Sequence, residues 1–238
     1  MNGGEACRKG SPAITVLRVD PRRWRMDVFH QSESPGDPVR ADIESWQRRT
    51  GATVIFNAGQ YYPDHLPMGL FVKRGKNLGT ARVRRWKGLL VAEPTDAKQY
   101  RPADILDLEH DAFDVRTTPY RIAVQSFMIL DRDHKKRVRR SDWHANRTVV
   151  ATDGSGHLLV VHTEGAYTLW DLADWLDRSD LDVRLAMSMD GGFEAQICVH
   201  TEELAFASFG QWHVDSHGDH SIAGLRRPLP AVIGLFPR

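Results

Sequence analysis

Two carboxylates four residues apart, Asp190 and Glu194, flank a glycine pair in AMSMDGGFEAQ, residues 186–196. A strand ending here delivers Asp190 to its carboxyl end, and Gly191-Gly192 admits backbone angles closed to other residues. Two bare N–H groups beside a carboxylate can receive an anion or let a substrate approach the backbone. Asp-Gly is also a common hairpin turn, in which Asp190 would only cap its own backbone. ANRTVVATDGSG, residues 145–156, sends Arg147 and Thr148 into an apolar strand that ends at Asp153. An arginine so placed can grip a phosphate or carboxylate with two N–H groups, which lysine cannot copy. The plainer alternative is an edge-strand arginine paired with a surface acid. TGATVIFNAGQYY, residues 50–62, begins as a buried strand and breaks into Asn57, Ala58-Gly59 and two tyrosines. A simple turn needs only Gly, Asn or Asp with suitable backbone angles. An amide, a flexible backbone and two amphipathic rings at one strand end instead suit a site.

Three further stretches carry weaker chemistry. QWHVDSHGDH, residues 211–220, alternates His213, His217 and His220 with Asp215 and Asp219. These are metal-ligand types, but their order matches no closed zinc pattern, and Gly, Ser and Asp point to an exposed loop. Trp212 could stack on a sugar face or simply pack. Lys135, Lys136, Arg137, Arg139 and Arg140 gather in residues 131–147; without interleaved aromatics they read as a solvated loop rather than a nucleic-acid surface. Pro67-Met68-Gly69-Leu70 is a turn into a strand that could wall a pocket.

The surrounding chain must position these groups. It has 238 residues, enough to bury a full core as one large domain or two small ones, with 41% hydrophobic and 26% charged residues. The net charge of +1 exerts no whole-molecule pull toward nucleic acid or a membrane surface. No apolar run approaches the ~20 residues of a membrane-spanning helix. MNGGEACRKGSP, residues 1–12, reads as a tail without a signal peptide's apolar region, which leaves the compartment unassigned and export open. Two cysteines are too few for a disulfide framework; Cys198, in the run Gln196-Ile197-Cys198-Val199, reads as a small buried hydrophobe. Cys7 as a lipid-anchor site is poorly supported by the preceding Gly4-Glu5-Ala6.

Repeats, low-complexity tracts and linkers are absent from the sequence. Strands are expected at Ile14–Val19, Trp24–Phe29, Thr53–Phe56, Leu70–Lys73, Leu89–Val91, Tyr120–Val124, Leu158–His162, Val183–Met189 and Ala231–Leu235. The Trp24 strand is expected to return alongside the first, after a turn at Asp20-Pro21, and residues 32–38 to form a loop. Helices are expected from Arg40 to Arg49 and from Thr168 to Asp177. In the second, Leu169, Leu172, Ala173 and Leu176 recur at helical spacing, and Thr168 with Asp171 has the capping-box form. Strands dominate, so one α/β (α+β) domain over residues 13–238 is expected, with a mixed β-sheet core flanked by helices.

In order along the chain, ITVLRVDP, VIFNAGQYY, PMGLFVKRGK, AVQSFMILD, NRTVVATDGSG, TLWDLADWL, AMSMDGGFEAQ and RRPLPAVIGLFP resemble the phosphodiester glycosidase family. That family includes the enzyme that uncovers mannose 6-phosphate by removing N-acetylglucosamine from a phosphodiester, and many bacterial relatives. The resemblance spans residues 13–238. It implies a cleft lined by Asn57 and Gly59, by Arg147 and Thr148, and by Asp190, Gly191 and Gly192, with Gln125 and Ser126 matching a further position. It implies no cofactor and no metal. Many members follow the glycine pair with a small residue and serines, whereas this chain has Phe193-Glu194-Ala195. A bulky Phe193 could narrow the pocket or offer a face to a sugar.

The implied chemistry is hydrolysis of a sugar-1-phosphodiester at the glycosidic C–O bond, releasing an N-acetylglucosamine-like sugar and a phosphate monoester. The expected partner is thus a small or polymeric carbohydrate phosphodiester. A phosphate leaving group needs little help from an acid and more from cations and N–H donors. Arg147 is the expected phosphate clamp, helped by the Gly191 and Gly192 amides. Asp190 is the expected nucleophile or base at C1, with Glu194 or Asp153 as second carboxyl group. Asn57 would hold a sugar hydroxyl or orient Asp190. Two other classes remain open: a carbohydrate- or envelope-associated binding protein without turnover, and a metal-dependent phosphodiesterase using His213, His217 and His220.

Overall fold

Val54, Ile55 and Phe56 are all buried, yet they serve two cores. Successive side chains of a strand point to opposite faces. Val54 and Phe56 pack with Leu90, Val124, Val150 and Met187, whereas Ile55 packs with Ile43, Trp46, Cys198 and Val232. An apolar run without alternation therefore marks a strand covered on both faces. The computed structural model of the chain describes residues 1–33, 41–215, 217–221 and 226–238.

Two sheets pack face to face. One has the order Lys9–Val19, Leu158–Ala166, Thr148–Asp153, Val183–Ser188, Tyr120–Leu130, Phe71–Lys73, Lys76–Asn77, with Gly88–Pro94 pairing Tyr120–Leu130 and Ala103–Asp107 pairing Gly88–Pro94. The other has the order Ala205–Phe209, Gln196–His200, Val54–Asn57, Ala231–Pro237, Trp24–His30. Each outer face carries one helix. Leu169–Arg178 buries Leu172, Ala173 and Leu176 against Ile14, Val149 and Val161 of the first sheet. Its Thr168 cap accepts from the Asp171 amide at 3.0 Å. Ile43–Thr50 buries Ile43 and Trp46 against the second sheet, with Asp42 as its cap and Gly51 ending it at φ 68°.

The expected mixed sheet in a helix-flanked α/β domain is corrected here. Every strand pairing among the described residues is antiparallel, and strands far outweigh the two helices. Strands buried on both faces resemble those of a parallel sheet, but here the second cover is another sheet. The Trp24 strand does not return beside the first. Lys9–Val19 pairs with Leu158–Ala166, while Trp24–His30 crosses to the other sheet and pairs with Ala231–Pro237. Where an exposed loop was expected, Trp212–Asp215 pairs with Gly218–Ser221 and, on its other edge, with His144–Ala145. Lys9 and Gly10, within the expected tail, pair with Ala166 and Gly165. The expected loop at 32–38 and the expected helix start at Arg40 fall largely outside the described residues. No described helix is long and apolar enough to cross a membrane.

Candidate active site

The two sheets meet at one end, where Asn57 closes a strand of one and Asp190 follows a strand of the other. The Asp190 amide donates to the Ala58 carbonyl at 3.0 Å. Asn57 Nδ2 donates to the Asp190 carbonyl at 2.9 Å and to that of Ala58 at 3.1 Å, while Oδ1 accepts from the Gln196 amide at 3.1 Å. Asn57 is 1% exposed. Its amide thus ties three backbone segments together and holds Asp190 in place; the sharp break after Phe56 builds that seam. The Met189 amide is fixed by the Thr148 carbonyl at 2.8 Å. Gln60 braces the same turn, donating to the Met189 carbonyl at 3.3 Å and accepting from Ser126 Oγ at 3.0 Å. The Gly59 backbone lies against the carbonyl of Gln125.

Arg147 lies across the turn. Its Nε and Nη2 each donate at 2.9 Å, to the Tyr167 and Trp143 carbonyls. Nη1 has no acceptor among the described residues and faces Gly191. A Cβ on Gly191 would sit 3.0 Å from Nη1 and 3.1 Å from the Asn146 carbonyl, so close packing requires this glycine, whose φ of −119° does not. Gly192 is required for the other reason, with φ at 69°. Neither glycine offers a bare amide: Gly191 N–H donates to Asp190 Oδ1 at 2.9 Å and Gly192 N–H to the Asn146 carbonyl at 2.8 Å.

Electrostatics separates the two carboxyl groups. Burial, then the negative charge of Glu194, pushes Asp190 up to about 7, against the opposing pull of the Gly191 amide and Arg147. Burial lowers Arg147 to about 10, and Asp190 partly offsets this. Glu194 Oε1 accepts from the Tyr61 hydroxyl at 3.1 Å and from Arg227 Nε at 3.2 Å. Burial and the charges of Glu194 and Asp190 raise the Tyr61 phenol, keeping its proton in place. A carboxyl group with affinity for a proton near neutrality, a second carboxylate and a cation whose Nη1 has no protein acceptor among the described residues thus share one turn.

The remaining expected residues are placed differently. Asp153 ends the far side of its strand: it pairs with Val183, whereas Val149 pairs with Ser188 near Asp190. Four residues of strand separate the two ends, roughly 13 Å at 3.3 Å per residue. Asp153 is occupied by His157 at 3.1 Å and Arg18 at 3.3 Å. Gln125 is 1% exposed and spends its whole amide on backbone: Oε1 accepts from Leu70 and Val83, and Nε2 donates to Val83 and Trp86. Thr148 is buried beside His162, at 3.4 Å, and His162 reaches Ser208 Oγ at 2.9 Å. Burial pulls His162 down to about 4. His213, His217 and His220 surround the Asp215 carboxylate at 3.4, 3.6 and 3.7 Å. Among the described residues no three such side chains are disposed to hold a metal ion. Phe193 lies against the His213 ring, 6.1 Å between centroids.

Sequence reasoning passed over Asn146, the residue before Arg147. Fully buried, it accepts from the Gln211 and Trp212 amides at 2.9 and 2.8 Å and donates to the Thr163 carbonyl at 2.8 Å, tying the hairpin to the turn. Gln196 and Arg227 were likewise not singled out as site residues, whereas Tyr61 is one of the two rings expected at the strand end. A polar residue at the head of the apolar run Ile197-Cys198-Val199 was the available signal for Gln196, whereas Asn146, between Ala145 and Arg147-Thr148, offered none.

Residues 50–236 match the family model described as NAGPA, phosphodiester glycosidase. Among curated proteins, no sequence matches at a significant level. The zebrafish N-acetylglucosamine-1-phosphodiester alpha-N-acetylglucosaminidase catalytic domain, auto-inhibited by its pro-peptide, is similar in structure: TM-score 0.63 and 16% identity, over 95% of this chain and 83% of that one. A hypothetical protein from Synechocystis is similar at TM-score 0.54 and 13% identity, over 94% of this chain and 59% of that one. A protein from Burkholderia pseudomallei K96243 gives TM-score 0.54 and 10% identity, over 94% and 74%. At these identities the structural likeness concerns the fold.

Proposed function

The chain belongs to the phosphodiester glycosidase family, and we propose from that membership that it hydrolyses a sugar-1-phosphodiester at the glycosidic C–O bond. The products are a free, N-acetylglucosamine-like sugar and a phosphate monoester. The single observation that carries this reading is the position of Asp190 at the seam, with its carboxyl raised to about 7 beside Nη1 of Arg147. Ionised Asp190 takes a proton from the attacking water, whose oxygen bonds to C1. The C1–O bond breaks toward phosphate, which leaves as a stable anion and needs no strong acid. Arg147 contributes one charge-assisted hydrogen bond through Nη1 to a phosphate oxygen rather than a two-pronged grip. Glu194, held by Tyr61 and Arg227, keeps the proton affinity of Asp190 high enough for a base. Asn57, Gly59, Gln60 and Asn146 act by positioning, and Gly191 and Gly192 let Arg147 and Asp190 approach.

The test is turnover of a panel of sugar-1-phosphodiesters by wild type and Asp190→Asn. The reading requires equal amounts of free sugar and phosphate monoester from wild type, and loss of both in the variant. Sugar-1-phosphate as the product, or an Asp190→Asn variant as active as wild type, would overturn it.

A further inference from the structure

The basic run that stands out in the sequence is largely neutralised in the fold. Lys135 pairs with Asp133, Lys136 with Asp174 at 2.7 Å, and Arg137 with Asp107, Asp131 and Glu109. Lys136 and Arg140 also cover the Trp170 ring, Arg140 at 4.7 Å. A less conspicuous set, Arg82, Arg84, Arg85 and Lys87 in TARVRRWKG, is left without any carboxylate within ion-pair distance among the described residues, although Asp107, Glu109 and Asp111 lie close in the chain fold. Those acids are taken by Arg137 and Arg132. Arg82, Arg84 and Arg85 are exposed, and Arg82, Arg84 and Lys87 line a recess of about 360 Å³.

The segment carrying these four cations is firmly anchored. Gln125 binds the Val83 amide and carbonyl and the Trp86 carbonyl at 2.8–3.0 Å. Trp86 is 2% exposed and packs on Phe127 with centroids 4.7 Å apart. Thr80 is bonded to the Gly69 amide and to Asn77 Nδ2, each at 2.8 Å, and Arg82 Nη2 donates to the Leu108 carbonyl at 2.9 Å. Unpaired like charges held close together repel one another, and folding retains them here on a rigid support. The support is shared with the active site. Gly88, which follows Lys87, packs against Met187, three residues before Asp190, or roughly 10 Å along an extended strand. Gly88 also pairs with Ser126, whose hydroxyl reaches Gln60 at the catalytic turn.

We infer that this segment is an anion-binding shelf for phosphate groups lying along the substrate beyond the bond that is cut. The substrate class is then a carbohydrate chain bearing several phosphodiesters, not a single small phosphodiester. The inference rests on the glycosidase reading for the identity of the ligand, and Gln125 becomes its positioning residue.

The experiment measures binding and turnover separately. Its probes are a sugar-phosphate oligomer with several phosphodiesters, its single-phosphodiester unit, and single-stranded DNA with the same number of phosphates. They are offered to wild type and to Arg84→Glu/Arg85→Glu, in which both changed residues are exposed. Wild type binds the oligomer about tenfold or more tighter than the unit, with a steep fall as salt is raised, because released counterions accompany each phosphate bound. The double variant loses that preference and flattens the salt dependence, while cutting the unit with unchanged kcat/KM. Equal binding of oligomer and unit, or a preference retained by the variant, overturns the shelf. DNA bound as tightly as the oligomer also overturns it, in favour of a nucleic-acid surface. Oligomer preferred by wild type and lost in the variant, with neither sugar probe cut, supports the shelf and refutes the glycosidase reading. A unit that is cut, with no preference for the oligomer, does the reverse.

Discussion

Replacing the proposed base, Asp190, should stabilise the protein. Asp190→Asn preserves shape, and the new Oδ1 can still accept from Gly191 N–H. In the folded protein Asp190 binds its proton up to about 7, against 3.8 for the ordinary side chain. Between those values the folded chain holds more protons than the unfolded chain, so the wild type loses stability as pH rises through this window. The difference, 7 − 3.8, is about 3 pH units and corresponds to a ceiling of about 4 kcal/mol at 1.36 kcal/mol per unit. Asp190 is only partly buried, and solvent screening reduces the figure to about 2 kcal/mol. Urea unfolding of both proteins at pH 4, 5.5 and 8, with linear extrapolation to water, measures it. The variant should match wild type at pH 4 and exceed it by about 2 kcal/mol at pH 8, while being inactive. A variant less stable at pH 8, or a difference that does not change with pH, would refute the claim that Asp190 is ionised there at a cost.

Three further outcomes follow from the same geometry. Glu194→Gln removes a negative charge that raises Asp190, so the acid limb of kcat/KM against pH should move below 7; an unmoved limb would show that the two carboxyl groups are not coupled. His162 is buried and held down at about 4 from 6.5, so the unfolded chain binds the extra proton between those values and acid destabilises the fold. His162→Gln should reduce the stability lost between pH 6.5 and 4 by about 3 kcal/mol, seen in the same unfolding series. Arg147→Lys removes the Trp143 carbonyl's donor and one of the two donors to the Tyr167 carbonyl, which keeps the Ala145 amide, and should lower stability by about 1–2 kcal/mol, together with a loss of turnover larger than that in substrate affinity.

Much of the candidate site was legible because its residues bound apolar runs. Asn57 after Val54-Ile55-Phe56, Arg147 before Val149-Val150, and Asp190 after Ala186-Met187-Ser188-Met189 each read as a polar group at a strand end, and the fold brings the three together. The capped helix at Thr168 was legible for a local reason, a hydroxyl three residues before the amide that donates to it. What lay beyond the sequence was pairing. Nothing local distinguishes a strand covered by a helix from one covered by another sheet, so the antiparallel arrangement and the crossing of Trp24–His30 to the second sheet were hidden. For the same reason Asp153 looked as available as Glu194, although antiparallel register puts it at the far end of its strand. Gln125 looked like a ligand because a buried amide can face either a substrate or the backbone. Only the positions of Leu70, Val83 and Trp86 reveal that all its bonds are spent. Ala103–Asp107 passed unnoticed because its polar residues, Asp104 and Asp107, are balanced by Arg184 and Arg137 brought from distant segments.

The central claim is that the sugar–oxygen bond breaks and not the phosphorus–oxygen bond. The most direct test is hydrolysis of an N-acetylglucosamine-α-phosphodiester in ¹⁸O-labelled water, with the label located by mass spectrometry. The account predicts label in the released sugar, at C1, and none in the phosphate monoester. Label in phosphate would place the attack at phosphorus and contradict the role given to Asp190.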